Sequence, residues 1–539
     1  MRNLLNICLA LVLAVLSQFS LLAGPTTATS VSETQLASNG PHAPQDRQLE
    51  PTQVSSTAKT QSALVDLGNT NLGPYSMPVR GLLVTPQARA STAQQARWPL
   101  IVINHLRAPN CSDNSFAYPC PSGTSERRFD LGMAYLGEEL AQQGYAVLIP
   151  DLSTSWIGAD VTVPYDQRQA WRQIVGRLTE AIARDAQGGS KVFGGLKTAA
   201  IDQSRVGLVV HSRSASIVNT AVDFFGSRAV RAVLAYGPAY NTFDEQHFSP
   251  DIAADLPYLS LAGDLDQDVG PSANLWLGKY LSKERTAPAL VANLAGFGHM
   301  YVNRALSQEG FDDRRGCDLL DCRNEEEHEK LLISASKDWF ATFIRGQQSG
   351  LPIDRDSQLP QELYGYKARW LAATTGSAVT HLSADRFKPL TAGSARTCRV
   401  ADPVAPAALE DACPDPELGY TEVSPVVPVT YMKAAGAQVQ FEGLSQINLH
   451  LAPFGSSPKQ EDGRLVLKLV FSDGSSWSHT LAGQDSVLAN RADETTNGHY
   501  LLASERIDVP DWVAHKKLVK VQLRAPGQPV LLHSLDLLS

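Results

Sequence analysis

Three side chains whose types suit acyl transfer follow one another along this 539-residue chain. They are Ser212 in Val210-His211-Ser212-Arg213-Ser214, Asp266 in Gly263-Asp264-Leu265-Asp266-Gln267-Asp268-Val269, and His299 in Gly296-Phe297-Gly298-His299. Hydrolysis through a serine needs that hydroxyl as nucleophile, an imidazole to take its proton, a carboxylate to orient the imidazole, and N–H donors for the developing oxyanion. Ser212 sits where an expected buried strand over 206–210 runs into a helix starting near 214. Such a sharp turn projects the hydroxyl from the sheet edge. A serine at this kind of junction is often only an N-cap, but the downstream Asp and His favour the catalytic reading. Asp266 is preferred as the acid because Gly-x-x-Asp-x-x-Val sets it just past a strand end. Asp268 ranks second and Asp264 third, both readable as parts of a solvated acidic turn. The same run fails as a calcium loop, since Gly270 comes one position late and Leu275 replaces the bidentate Glu. No metal or other cofactor is expected. His299 lies in a glycine-flanked loop after the last expected strand, whereas His247 and His328 fall in a charged loop and a helix. The oxyanion donors are expected to be the backbone N–H groups of Arg213 and Leu106, with His105 and Arg107 as less firmly assigned members of that second loop.

These residues need a scaffold, and short apolar runs alternating with amphipathic ones provide it. Strands are expected over 81–85, 98–104, 145–150, 206–210, 230–235, 258–262 and 289–294, with helices over 131–144, 165–186, 214–225 and 325–344. Such alternation predicts a mostly parallel sheet with helices on both faces. About 20 residues separate the strands ending near 236 and starting at 258, which leaves no room for a cap domain and predicts an open, lidless site. The loop 107–129 is the expected rim. Beyond 345 the pattern changes: 346–422 reads as a loop-rich linker and 423–539 as an all-β sandwich or jelly roll. In that last part Trp477, Tyr500 and Trp512 could stack on sugar, though as core or rim residues they need no such role.

In order, strand-Asn104-His105, strand-Pro150-Asp151, Ile201-Asp202-Gln203-Ser204-Arg205-Val206-Gly207, His211-Ser212-Arg213, Gly263-x-x-Asp266 and Gly298-His299 resemble the α/β-hydrolase superfamily. The stretch 201–207 is similar to that of dienelactone hydrolases, platelet-activating-factor acetylhydrolases and cutinase-like polyester hydrolases. The resemblance covers about residues 75–345. It implies an eight-stranded core, no cofactor, and Ser212, Asp266 and His299 as the triad. Val210 and Ser214 stand where the family's Gly-x-Ser-x-Gly turn has its glycines, and Leu106 stands where a Gly commonly follows the His.

Composition limits the alternatives. Hydrophobic residues make up 43% of the chain and charged ones 19%, which supports large buried cores, and a net charge of −9 argues against a nucleic-acid partner. Residues 1–23 read as a signal peptide, with Arg2 ahead of an apolar run broken by Asn6, Ser17, Gln18 and Ser20. The rival is an uncleaved anchor, since the run approaches the roughly 20 residues that span a bilayer. Residues 24–63 read as a disordered spacer. Cys8 leaves with the signal, and the rest fall in close pairs, Cys111/Cys120, Cys317/Cys322 and Cys398/Cys413, which fits local disulfides in a secreted or periplasmic protein. The expectation is therefore a secreted serine esterase acting on ester substrates, polymeric or lipid esters included, with carbohydrate or surface contact open to the C-terminal domain. A serine peptidase and a non-catalytic binding protein on a hydrolase scaffold, the latter motivated by Val210 and Leu106, are the alternatives.

Overall fold

The computed structural model describes residues 40–87, 97–157, 166–240, 255–270, 272–314, 322–377, 379–400, 427–453, 464–482, 487–488, 502–527 and 529–539. The expected signal peptide, Tyr500, Cys317 and Cys413 lie outside them.

Eleven strands form one mixed sheet: β1 (Gln53–Ser56), β2 (Thr60–Leu72), β3 (Tyr75–Pro86), β4 (Trp98–Asn104), β5 (Ala146–Pro150), β6 (Ile201–His211), β7 (Val230–Tyr236), β8 (Tyr258–Gly263), β9 (Ala289–Leu294), β10 (Glu362–Leu363) and β11 (Tyr366–Ala372). Their spatial order is β1-β2-β3-β5-β4-β6-β7-β8-β9-β11-β10. The central run from β5 through β4, β6, β7 and β8 to β9 is parallel. Both flanks are antiparallel.

The central strands are mostly apolar on both faces because both faces are covered. Leu100, Val102, Leu208, Val210, Val233 and Ala235 face one core, while Ile101, Ile103, Val209, Leu234 and Tyr236 face the other. The first core is closed by α2 (Gln167–Ala186), α3 (Val218–Phe225) and α4 (Ser272–Gly278), and the second by α1 (Ala134–Gln142) and α5 (Glu325–Arg345). Helix α5 begins at a capping box formed by Asn324 and Glu327. It buries Leu331, Leu332, Ala335, Trp339 and Phe340, the stripe that a 3.6-residue period produces. Trp339 Nε1 also donates to the Val233 carbonyl at 2.9 Å, tying the helix to β7.

Three boundaries differ from the sequence reading. The segment expected as a disordered spacer to residue 63 supplies β1 and the start of β2. Its polar residues suit an edge strand, and Arg47 is fixed by a paired contact to Asp66. The expected linker 346–422 is not a linker over its described part. Tyr366–Ala372 adds to β9, and Val379–Ser383, Lys388–Pro389 and Ala395–Val400 are strands of the second domain. The sheet is also larger and less parallel than the eight-stranded one expected, because β1, β10 and β11 extend its edges.

The remaining strands form two antiparallel sheets. One holds Ala395–Val400, Val427–Met432, Val530–Leu538, Gln446–Pro453 and Ala503–Asp508, with Val379–Ser383 also paired to Val530–Leu538. The other runs Lys388–Pro389, Ala434–Phe441, Leu518–Arg524, Arg464–Phe471, Ser476–Ala482. Ile447, Leu449 and Leu451 of the first and Leu465, Leu467 and Leu469 of the second share one apolar core, as in a sandwich. Polar ties join this domain to the first: Ala372 N donates to Ser504 Oγ at 2.9 Å, and Asn448 Nδ2 to Thr374 Oγ1 at 2.7 Å.

Candidate active site

Parallel strands end on one edge, and there the chemistry collects. His105 to Arg107 follow β4, Ser212 follows β6, Gly237 follows β7, Asp264 to Asp268 follow β8, and His299 sits in the loop after β9.

Ser212 is held at φ 57°, one of few non-glycine residues with positive φ among those described. That left-handed backbone costs a β-carbon about 1–2 kcal/mol, so the fold imposes it. The strain falls on Ser212 itself. Val210 stays in the extended, fully buried strand, so a side chain there does not crowd the turn. A 3₁₀ turn over Ser212–Ile217 leads into α3. Small Ser214 lets that turn approach the β4 loop, and its Oγ donates to the His105 carbonyl. The two backbone segments expected to hold the oxyanion are thus tied together.

His299 and Asp266 meet. His299 Nδ1 lies 2.8 Å from Asp266 Oδ2, with both side chains almost fully buried. The other Asp266 oxygen accepts N–H bonds from Asp268 and Val269, each at 2.9 Å. The Gly-x-x-Asp-x-x-Val turn therefore aims the carboxylate. The far nitrogen, Nε2, has Asp268 Oδ2 at 3.3 Å, within ion-pair reach but not aligned as a hydrogen bond. Burial alone would push the His299 imidazole down, but Asp266, Asp268 and Asp313 outweigh it and bring it up to about 10.

The competing aspartates have distinct positions. Asp264 is 5% exposed, not solvated, because its Oδ1 accepts from Gly296 N at 2.8 Å and links the Asp266 loop to the His299 loop. The Asp268 side chain is 46% exposed. His105 supplies a strut: its Nδ1 donates to the Leu106 carbonyl and its Nε2 accepts from Leu152 N, each at 2.8 Å. Leu106 is fully buried against Phe129 and Leu306. The Arg107 guanidinium lies over the Phe116 ring at 4.3 Å. Burial, with the Arg107 charge, holds Arg213 below its ordinary value. The rim loop is stapled by Cys111–Cys120, with an S–S length of 2.00 Å. Cys322 and Cys398 are also disulfide-bonded, to partners outside the described residues.

Several contributors escaped the sequence reading. Asp313 accepts from the backbone of His299 at 2.7 Å and of Met300 at 3.0 Å, clamping the His299 loop. Burial and the neighbouring Asp266 push its carboxyl up to about 6. In sequence it looked like one more charge in Asp312-Asp313-Arg314. His211 Nε2 lies 3.1 Å from the His299 carbonyl, and Tyr236 Oη donates to the Gly298 carbonyl at 2.8 Å. No spacing rule marks either residue.

His328, set aside as a helical residue, braces the same loop. It is fully buried, its Nε2 accepts from Gly298 N at 3.0 Å, and its Nδ1 faces the Asn324 carbonyl at 2.7 Å. These partners require a neutral ring with the proton on Nδ1. Burial pushes it down to about 4. Between about pH 6.5 and 4 the unfolded chain takes up a proton that the folded chain refuses, so this residue's share of stability is lost as pH falls through that window. The loss should approach roughly 3 kcal/mol at the acid end. Denaturant titrations at pH 7 and 4.5 check it: His328→Gln should flatten the difference, and an unchanged difference would refute it.

No protein-family model and no curated protein matches the chain. Among solved structures, the chain is similar to an acylaminoacyl peptidase from Pyrococcus horikoshii at 11% identity, over 56% of this chain and 43% of that one, with a TM-score of 0.30. It is similar to a sugar hydrolase from Lactococcus lactis at 16% identity, over 55% of this chain and 99% of that one, with a TM-score of 0.28. Over 30% of its length the chain is similar to 97% of a Caldicellulosiruptor saccharolyticus carbohydrate-binding module, at 12% identity and a TM-score of 0.20.

Proposed function

We propose that the first domain is a serine hydrolase of the α/β-hydrolase type that cleaves carboxylic esters through an acyl-enzyme. The observation that carries this reading is the strained Ser212 at the end of β6, on the same sheet edge as the loops that hold a buried His299–Asp266 pair. In this mechanism His299 Nε2 takes the Ser212 proton as Oγ attacks the ester carbonyl, while Asp266 stabilises the imidazolium through Nδ1. The backbone N–H groups of Arg213 and Leu106 receive the oxyanion. The alcohol leaves with the proton from Nε2, and water then repeats the sequence to release the acid. The short connection between β7 and β8 favours an open site that admits polymeric or lipid esters. Secretion fits the stapled rim loop.

A base pushed up to about 10 is mostly protonated at neutral pH. Activity requires the neutral ring, so kcat/KM should climb with pH toward 10. A fluorophosphonate probe, followed from pH 6 to 10, tests the whole reading: labelling should fall on Ser212 and accelerate with pH. Asp268→Asn removes one of the charges that raise His299, so its acid limb should move to lower pH. Folded protein that never labels would favour the binding-scaffold reading instead.

A further inference from the structure

We infer that the outer face of the five-stranded sheet in the second domain is a binding cleft for an acidic polysaccharide. Strand alternation defines this face. Leu465, Leu467 and Leu469 point into the core, so Arg464, Val466 and Lys468 point out. Val521 and Leu523 point in, so Lys520, Gln522 and Arg524 point out. Register then places Lys388 beside Gly436, Gly436 beside Gln522, Gln522 beside Lys468, and Lys468 beside Ser478. That single row crosses all five strands. At about 4.8 Å per strand it spans roughly 19 Å, long enough for several sugar rings.

Next to it Gln438 pairs with Lys520. A cleft of about 270 Å³ opens here, lined by Arg386, Lys388, Leu390, Gly436, Gln438 and Lys520. Gly436 keeps its floor bare, because a β-carbon there would meet the Val521 carbonyl at 3.1 Å and Leu390 Cδ2 at 3.0 Å.

The chemistry of the face selects the partner. Arg386, Lys388, Lys468, Lys520, Arg464 and Arg524 gather on one surface of a chain whose acids outnumber its bases. Among the described residues no carboxylate pairs with any of them, whereas Lys516 and Lys517 at the adjoining turn are paired with Asp473 and Glu442. Clustered surface cations without carboxylate partners among the described residues favour an anionic ligand. Gln438 and Gln522 add amides suited to hydroxyl groups. Among the described residues no large exposed apolar side chain belongs to the strands of this face, as insertion into a lipid surface would require. Among the described residues the strands of this face carry no aromatic platform for neutral sugars or for bases: Trp477 pairs with Leu469 and packs against the core.

The inference is independent of the esterase reading. Affinity electrophoresis of the full chain tests it, using polygalacturonate, a sulfated galactan, neutral mannan, double-stranded DNA and phosphatidylserine vesicles. Migration should be retarded by one or both acidic polysaccharides, and the effect should fade as salt rises. The double variant Lys388→Gln/Lys520→Gln, at one exposed and one half-buried surface position and therefore compatible with folding, should bind at least tenfold more weakly at an unchanged Tm. Lys337→Gln, far from this face, should bind as wild type. Equal retardation by mannan, retention only by DNA or vesicles, no retardation by either acidic polymer, or wild-type affinity in the double variant would overturn it.

Discussion

Replacing Ser212 with alanine is expected to lower kcat/KM on a p-nitrophenyl ester by about four to six orders of magnitude, and His299→Ala to do nearly the same. The losses should not add, because nucleophile and base act in one proton transfer: once either is gone, removing the other takes away nothing further. Asp266→Asn should cost about 10⁴-fold for a separate reason. Asp266 Oδ2 accepts from His299 Nδ1 at 2.8 Å and so keeps the proton on that nitrogen. An Asn amide can turn its N–H toward Nδ1 instead, which sends the proton to Nε2, the atom that must receive one from Ser212. Thermal stability of Ser212→Ala should stay near wild type, since the φ of 57° and its strain persist with any β-carbon. Turnover of Ser212→Ala equal to that of wild type would sink the assignment. A double variant that loses a further thousandfold would show that the two residues do not work as one unit.

The two halves of the site were legible to different degrees. Buried strands and helices were readable because an apolar run bounded by Gly or Pro, and a stripe at spacing three and four, each have one good solution in a two-faced sheet. Ser212, Asp266 and His299 could be named because each follows such a strand, and strand ends on a parallel sheet converge. Edges were not readable. Gln53–Ser56 is mostly polar and exposed at each position, so nothing in its composition separates an edge strand from a disordered spacer. Ala434–Phe441 opens on Ala-Ala-Gly-Ala, which has no β-branched side chains to mark a strand, yet register with Leu518–Arg524 makes it one. The loop supports were hidden for a further reason. Asp313 and His328 act through backbone N–H groups of Gly298, His299 and Met300, and a bond to a main-chain atom leaves no pattern in residue types. The missing glycines at 210 and 214 have a structural reading, because the turn concentrates its positive φ on Ser212.

Gly237→Ala should break the pair without touching any member of it. Gly237 follows β7 with φ 45°, and a β-carbon there would lie 2.6 Å from His299 Nδ1, 3.0 Å from its Cε1 and 3.1 Å from Asp266 Oδ2. These are the two atoms of the hydrogen bond that orients the base. Neither can retreat freely: Asp266 is held by two N–H donors on its other oxygen, and the His299 backbone is clamped by Asp313. The imidazole must therefore shift by some tenths of an ångström or turn. Displacements approaching 1 Å cost about a hundredfold in a positioned proton transfer, so kcat/KM should fall by at least about 100. The positive φ also costs stability, about 1–2 kcal/mol, and that loss alone could be mistaken for the cause. Gly226→Ala separates the two effects. Gly226 has φ 92° at the end of α3, and a β-carbon there would find no atom within 4 Å. It should lose comparable or greater stability and keep its activity. The low-field proton resonance of a histidine Nδ1 bonded to a carboxylate should be present in wild type and Gly226→Ala and shifted or absent in Gly237→Ala. If both variants lose activity in proportion to stability and the resonance is unmoved, Gly237 serves only the turn, and the need for bare backbone beside the base falls with it.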